Sequence, residues 1–512
     1  MSGFAVIFNK PDASELENMF QRIGHRGPYL SGKCEYKRIL MAQNYLKADI
    51  CLKNDKYLDP DRNQIPAFNP KLPDFKICYD GQMGNWAERA KHSGEADGPF
   101  KEERLFLHLY KQYGSQMFDY LDDAVFAFVI SDGENLFAAR DLLGIKTLFY
   151  GTKDGALYLS SELKSLIGIT DDIYEFPPGH YMDNTGTLFR FDELPKCQPE
   201  ILHSDPNEMV ETIRDIIRRS FQNRVNFEAP TGSLLSGGID SSIVAWLAGN
   251  AFREKFGKDA RLKTFALGVG ESEDITCARL MADTIRSNHH EVIVDLDQIL
   301  AVLPQVIWSL ESFDPSLVRS SVSNYLISKY AREQGIEVLL SGEGGDEVFC
   351  GYLYLKDFST EELFAQQMKC IGFLHNNASL RLDRMNLCNS IRVVTPLISG
   401  ELLKYAMRIP AEYKQRPEGN QKIEKWIFRK AYEDVLPNEI VWRLKQEFSQ
   451  GSGSADVLPK YFDGMITDQE LKEAQDSYPM VRSKEELYYF KIFIEHFGRG
   501  RAVETVGQWI RL

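Results

Sequence analysis

The chain after about residue 205 alternates short apolar runs with longer helix-forming stretches. A strand–helix alternation of this kind folds into a parallel sheet covered by helices, which binds ligands at the carboxyl ends of its strands. Strands are predicted at GSLL, LKTFALGV, HEVIVDL and IEVLLSG, and helices at SSIVAWLAGNAFREKF, TCARLMADTIRS and a long tract over 297–334. Residues 360–512 have a mainly helical pattern. We therefore expect a parallel α/β domain with a helical extension over 205–512.

The residues before this domain have a different pattern. Short β-type runs such as GFAVIF, AVFAFVIS and ALYLSS follow one another, and the Asp-Gly pairs at 132–133 and 154–155 predict hairpin turns between them. Helices are predicted around 13–23 and 103–113. We therefore expect an α/β domain with mostly antiparallel sheets over 1–200. The proline-containing segment 191–206 is the predicted linker.

The composition argues against several classes of protein. The 512 residues carry 60 Lys and Arg against 74 Asp and Glu, a net charge of −14, which argues against a nucleic-acid protein with a basic surface. No run approaches the roughly 18 apolar residues that span a membrane, and the N-terminus does not resemble a signal peptide. We expect a cytoplasmic protein with neither a nucleic acid nor a membrane as its partner.

Metal-binding signatures based on cysteine or histidine are absent from the sequence. None of the eight cysteines forms a C-x-x-C pair, and the nine histidines show no H-E-x-x-H spacing. Neither a zinc cluster nor a disulfide framework is indicated. We expect carboxylates to hold any metal ion that the protein uses.

The segment SGGIDSS, residues 236–242, lies between a predicted strand and a predicted helix. Its glycines let the backbone approach a ligand, its serines add hydroxyl donors, and the helix start presents unpaired N–H groups, all of which suit a polyphosphate. The loop lacks the lysine of a P-loop. Asp240 would repel a bare phosphate but suits the accompanying Mg²⁺. The predicted nucleotide contacts in this loop are Ser236, Gly237, Gly238, Asp240, Ser241 and Ser242.

Two further motifs follow the loop. SGEGGDEVFCGY, residues 341–352, combines a high glycine density with the carboxylates of Glu343 and Asp346. Asp346 and Asp240 would form a carboxylate pair suited to Mg²⁺ on ATP phosphates. RLKQEFSQGSGSAD, residues 443–456, places Lys445 before a Gly/Ser loop. An ammonium there can stabilise charge that grows on a phosphate or on a tetrahedral centre.

The loop resembles that of the pyrophosphate-loop ATPases, and the three motifs in this order resemble the synthetase domain of asparagine synthetases and β-lactam synthetases. The resemblance spans most of 205–455. It implies an AMP- and pyrophosphate-forming carbon–nitrogen ligase that adenylates a carboxylate with Mg-ATP and then joins it to an amine. It also implies Lys445 as the oxyanion-stabilising residue and Glu343 as the base or amine-positioning group. Further nucleotide contacts that it implies are Leu235, Leu267, Gly342 and Lys425.

The N-terminal part resembles the same family's N-terminal-nucleophile glutaminase domain, through GHRGPYLSG, RDLLGIKTLFYG, LYLSSELKSL and FPPGHYM. The resemblance implies an αββα-type sandwich. Its catalytic residues are replaced: Ser2 stands in place of the nucleophilic Cys, Tyr45 in place of the glutamine-binding Arg, and Lys101 in place of the Asp that grips the substrate amine. Asp80 heads the altered oxyanion stretch and would oppose an oxyanion. An inactive glutaminase-like domain is therefore expected.

Three interpretations of the whole chain stay open. The first is ring closure on the substrate's own amine, as in β-lactam synthetases. The replaced glutaminase residues favour it, whereas Glu343, which stands where those synthetases have a Tyr, argues against it. The second is an asparagine synthetase supplied with free ammonia, although three charged side chains of that branch become Arg392, Val394 and Ser399. The third is an ATP-binding pseudoenzyme. An amino acid or amino diacid is the expected substrate, and a homodimer is left open.

Overall fold

The computed structural model describes residues 2–52, 67–69, 72–94, 100–270, 272–445 and 454–509. The chain forms two compact units. The first comprises Met1–Leu194, Ser390–Arg392 and Phe497–Thr505, and the second comprises the remaining residues from Pro195 onward. The division falls inside the segment predicted as the linker. The two short C-terminal pieces that belong to the first unit were assigned by the sequence pattern to the second domain.

The first unit contains two antiparallel sheets, as the hairpin signals predict. Their orders are β10-β8-β9-β1-β3-β2 and β12-β11-β7-β6-β5-β4. The strands are β1 (Ser2–Phe8), β2 (Leu30–Tyr36), β3 (Ile39–Tyr45), β4 (Ala67–Asn69), β5 (Leu72–Met83), β6 (Ala124–Ser131), β7 (Leu136–Arg140), β8 (Phe149–Lys153), β9 (Ala156–Ser160), β10 (Ile173–Glu175), β11 (His180–Met182) and β12 (Leu188–Arg190). The helices are α1 (Ala13–Gln21), α2 (Lys47–Leu52), α3 (Trp86–Ser93) and α4 (Lys101–Tyr113).

The hairpin between β8 and β9 shows why the strands of this unit can be predicted from the sequence. Asp154 has φ 51° and Gly155 has φ 82°, the pair of positive angles that a two-residue hairpin turn of the primed type requires. Between the two sheets lie alternate apolar side chains of the facing strands, including Phe4, Val6 and Val129, which are fully buried. The period-2 pattern therefore specifies both the strands and their buried face.

The second unit contains a five-stranded sheet in the order β15-β14-β13-β16-β17, in which β13 pairs in parallel with β14 and β16, and β14 with β15. Its strands are β13 (Thr231–Leu234), β14 (Lys263–Val269), β15 (Asn288–Val294), β16 (Val338–Leu340) and β17 (Arg392–Val394). The helices before and between them are α5 (Pro206–Arg224), α6 (Ile239–Phe256), α7 (Glu273–Ile285), α8 (Leu296–Leu310) and α9 (Pro315–Glu333). The expected two-domain α/β fold, with antiparallel sheets followed by a parallel one, is confirmed.

The helical tract predicted over 297–334 consists of two helices, α8 and α9. Pro315 is the first residue of α9, where its missing N–H costs nothing, and the Asp314 side chain accepts a hydrogen bond from the Leu317 N–H as the N-cap. The Asp-Pro pair at 314–315 therefore starts a new helix. The helical pattern continues on both sides of this pair, so it does not by itself show the boundary.

The remainder of the second unit is mainly helical, as predicted. The helices are α10 (Gly345–Phe349), α11 (Thr360–Gly372), α12 (Ala378–Leu387), α13 (Gly400–Met407), α14 (Ala411–Lys414), α15 (Trp426–Lys430), α16 (Asn438–Val441), α17 (Ser454–Met465), α18 (Asp468–Ser477) and α19 (Lys484–Phe497). Strands β18 (Gln415–Glu418) and β19 (Gln421–Glu424) form a hairpin that the helical pattern did not predict. Within the described ranges, the helices fall short of the length and apolar character that crossing a membrane requires.

Candidate active site

A cavity of about 210 Å³ lies at the carboxyl ends of β13, β14 and β16, where a parallel sheet is expected to bind its ligand. The structure brings most of the predicted site residues into its wall. They are Leu235, Ser236, Gly238, Asp240, Ser241, Leu267, Gly342, Glu343, Asp346, Lys425 and Lys445. Residues up to 210 positions apart in the sequence thus share one wall, as the three motifs predict.

Two predicted nucleotide contacts do not line this cavity. Gly237, with φ 73°, faces α7, and a Cβ built on it would lie 2.4 Å from the Cys277 Cβ. Ser242 is fully buried inside α6, and its backbone N–H donates to the Gly238 carbonyl. Gly237 is therefore needed for packing and backbone conformation, and Ser242 belongs to the helix interior.

Two serines of the nucleotide loop fix its conformation by hydrogen bonds within the loop. Ser241 Oγ lies 3.1 Å from Ser236 Oγ and donates to the Gly238 carbonyl at 3.1 Å, so the loop folds back over the start of α6. Gly238 is the N-cap of this 18-residue helix. The positive end of the helix therefore points at the cavity, which suits a polyphosphate.

Asp240 and Asp346 converge on a single ammonium group. Lys425 Nζ lies 2.5 Å from Asp240 Oδ2 and 2.7 Å from Asp346 Oδ1. The approach depends on two glycines, since a Cβ on Gly345 would lie 2.2 Å from Asp240 Oδ1 and one on Gly351 would lie 2.0 Å from Lys425 Cε. The glycine density of the second motif therefore permits two carboxylates and a lysine to meet.

Lys445 contacts the same carboxylate from the other side. Its Nζ donates to Asp346 Oδ2 at 2.6 Å. Burial alone would raise the pKa of Asp346, but Lys425 and Lys445 outweigh it and hold that pKa well below its usual range. Burial opposes the charge on Lys445 as well, yet Asp346 keeps the pKa of Lys445 raised. Both groups are therefore charged at neutral pH.

The carboxylate pair fits Mg²⁺ by the chemistry of its donors. Magnesium in nucleotide sites is held through one or two carboxylates and the substrate phosphates, with water completing its shell. Asp240 and Asp346 offer hard oxygen donors at one point, and the buried Asp240 Oδ1 has no hydrogen-bond partner among the described residues. In the same part of the chain, no group of three or more His, Cys, Asp or Glu residues forms a self-sufficient metal site. Phosphate oxygens would have to complete the coordination.

Glu343 lies in the cavity wall but is ion-paired. Arg381 Nη2 donates to Glu343 Oε2 at 2.5 Å, and both side chains remain partly accessible. Because the Arg381 guanidinium is hydrogen-bonded to the Glu343 carboxylate, the contact favours a positioning role for Glu343 over proton abstraction. Arg381 itself was not singled out in the sequence.

Other residues of the wall also escaped the sequence analysis. Arg443 donates to the Asp274 carboxylate at 2.7 Å and to the Ser236 carbonyl at 3.4 Å, which ties the third motif to the nucleotide loop. Its place two residues before Lys445 was the available signal. Tyr352 ends the second motif but was not singled out, and Asn324 and Trp509 lie outside the three motifs.

The three altered positions of the asparagine synthetase branch do not belong to this wall. Arg392 and Val394 are buried in β17, and Ser399 is the N-cap of α13. Their expected place beside the substrate is not what the structure shows for the described cavity.

In the first unit, Ser2, which stands at the position of the family's nucleophile, makes hydrogen bonds within the protein. The Ser2 hydroxyl donates to the Tyr79 carbonyl at 2.7 Å and accepts from Gln43 at 3.1 Å. The Ser2 backbone N–H donates to Asp80 Oδ1 at 3.2 Å, and Ser2 is only 2% exposed. Its hydroxyl is thus engaged with the protein's own backbone.

Asp80 lies in a buried group of charges next to Ser2. Arg26 Nη2 donates to its carboxylate at 2.8 Å, and Lys146 Nζ lies 3.5 Å away. Burial raises the pKa of Asp80, but Lys146 and Arg26 more than offset it and hold that pKa well below the usual range. Asp80, in the stretch that the resemblance assigns to oxyanion binding, is therefore an ionised carboxylate that Arg26 and Lys146 compensate.

The other two replaced positions lie in apolar surroundings. The Tyr45 ring packs against Phe100 with centroids 5.5 Å apart, and Tyr45 is opposite Ser2 in the β1–β3 register. The Lys101 ammonium lies over the Trp86 ring, 4.3 Å from its centroid. Neither position presents the charge that the glutaminase resemblance would require there.

The fold and the cavity together define the class of this protein, an ATP-using carbon–nitrogen ligase joined to a glutaminase-like domain. Asparagine synthase is the family whose model matches residues 212–371 and 362–498, and a glutamine amidotransferase domain matches residues 1–175. The chain belongs to the asparagine synthase family. The expected enzyme class is confirmed by this membership.

Relatives of known function match nearly the whole chain. Asparagine synthetase [glutamine-hydrolyzing] of Gallus gallus is 33% identical and covers 97% of this chain and 94% of its own length. The Zea mays protein of the same name is 30% identical, with coverages of 96% and 85%. Among solved structures, glutamine phosphoribosylpyrophosphate amidotransferase from B. subtilis matches with a TM-score of 0.32 at 13% identity, over 56% of this chain and 80% of its own.

Proposed function

We propose that this enzyme activates a substrate carboxylate with Mg-ATP and joins it to an amine that the same substrate carries. In the first step a carboxylate oxygen attacks the α-phosphorus of ATP, and pyrophosphate leaves. In the second step the amine attacks the acyl carbon, AMP leaves with the bonding electrons, and a proton is released. The convergence of Asp240, Asp346, Lys425 and Lys445 on one cavity carries this proposal.

The charges of the cavity match the first step. Mg²⁺, when bound, neutralises phosphate charge and orients the pyrophosphate leaving group. Asp240 and Asp346 would hold it, and the loop between β13 and α6 would receive the phosphates through backbone N–H groups and serine hydroxyls. Lys425, now paired with both carboxylates, is the cation placed to contact a phosphate.

The second step needs stabilisation of a developing oxyanion and a positioned amine. Lys445, held charged beside Asp346, supplies a fixed ammonium for the oxyanion. Glu343, fixed by Arg381, offers a carboxylate oxygen that can orient an amine N–H. We assign Lys445 to charge stabilisation and Glu343 to amine positioning.

The origin of the nitrogen is inferred from the first unit. The Ser2 hydroxyl is bonded to the Tyr79 carbonyl, and Asp80 places a negative charge beside it. These contacts support an inactive glutaminase-like domain and therefore a nitrogen that does not come from glutamine. An amine within the substrate removes the need for a separate donor.

A second candidate function is an asparagine synthetase that takes free ammonia. It is favoured by the near-full-length similarity to proteins named asparagine synthetase. The two candidates share the adenylation chemistry. They differ only in whether added ammonium is needed for the product.

The test of the adenylation step is pyrophosphate release by Asp240→Asn. Loss of this carboxylate leaves phosphate charge uncompensated, so pyrophosphate release with Mg-ATP and candidate amino diacids should fall by at least roughly a hundredfold. Asp123→Asn, at a partly exposed carboxylate of the first unit, is the control and should keep the wild-type rate. Wild-type turnover in Asp240→Asn would overturn the assignment.

A further inference from the structure

Asn324 is a buried amide whose polar atoms are left unused by the protein. Its side chain is on α9 and lines the cavity, and the residue is 3% exposed. Neither Oδ1 nor Nδ2 has a hydrogen-bond partner among the described residues. A buried amide without partners costs free energy, so its retention at a cavity wall points to a ligand that supplies both an acceptor and a donor.

Asn324 lies on the side of the cavity that suits a nucleobase. Ser320, Asn324 and Ile327 share one face of α9, four and three positions apart, and α9 packs against β14. The neighbouring wall contains the apolar side chains of Phe265 and Leu267 from β14. Aromatic and aliphatic walls with one hydrogen-bonding group are the usual surroundings of a flat heterocycle.

We propose that Asn324 reads the adenine base of ATP, with Oδ1 accepting from the 6-amino group and Nδ2 donating to an adjacent ring nitrogen. The inference rests on the proposed use of ATP and deepens it by naming the residue that selects the base. An asparagine amide matches adenine in this bidentate manner because adenine presents a donor next to an acceptor. On the edge that carries N7, guanine presents two acceptors, O6 and N7, and cannot satisfy both amide atoms.

The acid substrate is the less fitting partner for this amide. The charged groups that would contact an amino acid, Glu343 and Arg381, form their own pair in the wall. Asn324 carries no charge, and among the described residues its amide makes no hydrogen bond to either member of that pair. A neutral donor–acceptor group beside apolar side chains therefore matches the base rather than the zwitterionic end of a substrate.

The test is calorimetric binding of three nucleotides in the presence of Mg²⁺: ATP, GTP, and purine riboside triphosphate, which lacks the 6-amino group. The wild-type protein should bind ATP at least roughly tenfold more tightly than either analogue. In the near-isosteric Asn324→Leu, ATP binding should weaken by roughly tenfold and the preference over purine riboside triphosphate should largely disappear. An unchanged preference in Asn324→Leu would overturn the inference.

Thermal unfolding without nucleotide gives a second readout. Asn324→Leu removes two unpaired buried polar atoms, so its Tm should equal or exceed that of the wild type while ATP selectivity is lost. Ser328→Ala is the matched control, since this buried hydroxyl of α9 also lacks a described partner but does not line the cavity. It should leave the nucleotide preference intact.

The outcomes separate this inference from the proposed function. If the wild-type protein binds ATP but Asn324→Leu changes only the KM of the acid, Asn324 belongs to the acid site and the inference is wrong. If Asn324→Leu does not fold, the wild-type comparison decides, because equal affinity for ATP and purine riboside triphosphate contradicts base reading. Absence of ATP binding by the wild-type protein would instead contradict the proposed function itself.

Discussion

At the scale of single residues, the two lysines of the cavity have different roles despite contacting the same carboxylate. Lys425 is fully buried and bridges Asp240 and Asp346, whereas Lys445 is 19% exposed at its side chain and, among the described residues, forms an ion pair only with Asp346. The bridging lysine holds the site together. The more accessible lysine is free to meet a substrate without dismantling the carboxylate pair.

The variant Lys445→Met should separate nucleotide binding from product formation. Loss of the Lys445 ammonium leaves the Lys425 bridge in place, so ATP binding should change by less than about threefold. Amide formation should fall by at least roughly a hundredfold, because the oxyanion loses its stabilising ammonium. Binding by calorimetry and product by mass spectrometry check both halves. Product formation at the wild-type rate would remove Lys445 from the chemistry.

Lys414, which does not line the cavity, gives a pH-dependent prediction of stability. Its ammonium is buried and donates to Gln367 Oε1 at 2.9 Å, and burial lowers the pKa of Lys414 to about 8. The unfolded chain therefore holds more protons than the folded one between about pH 8 and the ordinary lysine value of 10.5, so the free energy of unfolding should rise with pH across this interval.

The variant Lys414→Met tests this contribution. Urea unfolding at several pH values from 7 to about 10 should show a flatter pH dependence in the variant than in the wild type. Parallel curves for the two proteins would show that the folded Lys414 titrates like an ordinary lysine. The neutral methionine fills a similar volume, which keeps the comparison to charge.

The sequence motifs located residues of the cavity wall where a residue type has one plausible chemical use. Asp240, Asp346 and Lys445 stand in dense motifs, and they line the described cavity. Asn324 and Arg381 lie within ordinary helical patterns, where an asparagine or arginine is usually solvated. Only burial and missing partners, which are properties of the fold, distinguish Asn324 from a surface amide.

At the scale of elements, the turn after β16 shows how glycine spacing creates a site. Gly345 and Gly351 bracket α10, and both lie where a side chain would collide with Asp240, Asp346 or Lys425. The short helix therefore carries Asp346 against the nucleotide loop. The sequence shows the glycine density, but not which atoms need the space.

Gly351→Ala should damage the site without unfolding the protein. The added Cβ would lie 2.0 Å from Lys425 Cε and 2.1 Å from Asp346 Oδ1, so one of these groups must move. Pyrophosphate release should fall by at least roughly tenfold, since displacement of catalytic groups by small distances has effects of this size. Gly464→Ala, with open space at its Cβ position, is the control and should keep full activity.

Elements with a clear period were predictable from the sequence, and elements set by a local signal were not. The β8–β9 hairpin follows from alternation and an Asp-Gly turn, and α6 follows from a glycine-rich start. The break between α8 and α9 depends on Asp314 and Pro315, which apolar residues surround on both sides. The strands β18 and β19 are short and polar, so their sequence gives no strand signal that stands out from the helical pattern around them.

At the scale of the whole molecule, the second unit retains the motifs of its family, whereas the first unit has other residues at the positions of the family's glutaminase residues. In the second unit the predicted motifs meet in one cavity, while in the first the corresponding positions are filled by internal bonds and buried charge. The sequence alone predicted this contrast from replaced residues. It could not predict that Asp80 would be held by Arg26 and Lys146, because these partners lie far apart in the chain.

The buried charges of the first unit should be structural. Arg26→Met removes one of the cations that compensate the buried carboxylates of Asp80 and Glu162, and breaking a buried ion pair typically costs about 3–5 kcal/mol. The first unit should therefore unfold at a lower temperature, as measured by calorimetry. Arg190→Met, at an exposed ion pair with Glu193, should change stability by less than about 1 kcal/mol.

The most direct measurement of the account is the nitrogen balance of the reaction with Mg-ATP. Candidate amino acids and amino diacids are incubated alone, with ammonium, or with glutamine, and AMP, pyrophosphate, glutamate and amide product are quantified. AMP and pyrophosphate should form in equal amounts, a substrate with its own amine should give product without added nitrogen, and glutamine should release no glutamate. Formation of ADP and phosphate, or glutamate release that Ser2→Ala abolishes, would contradict the account.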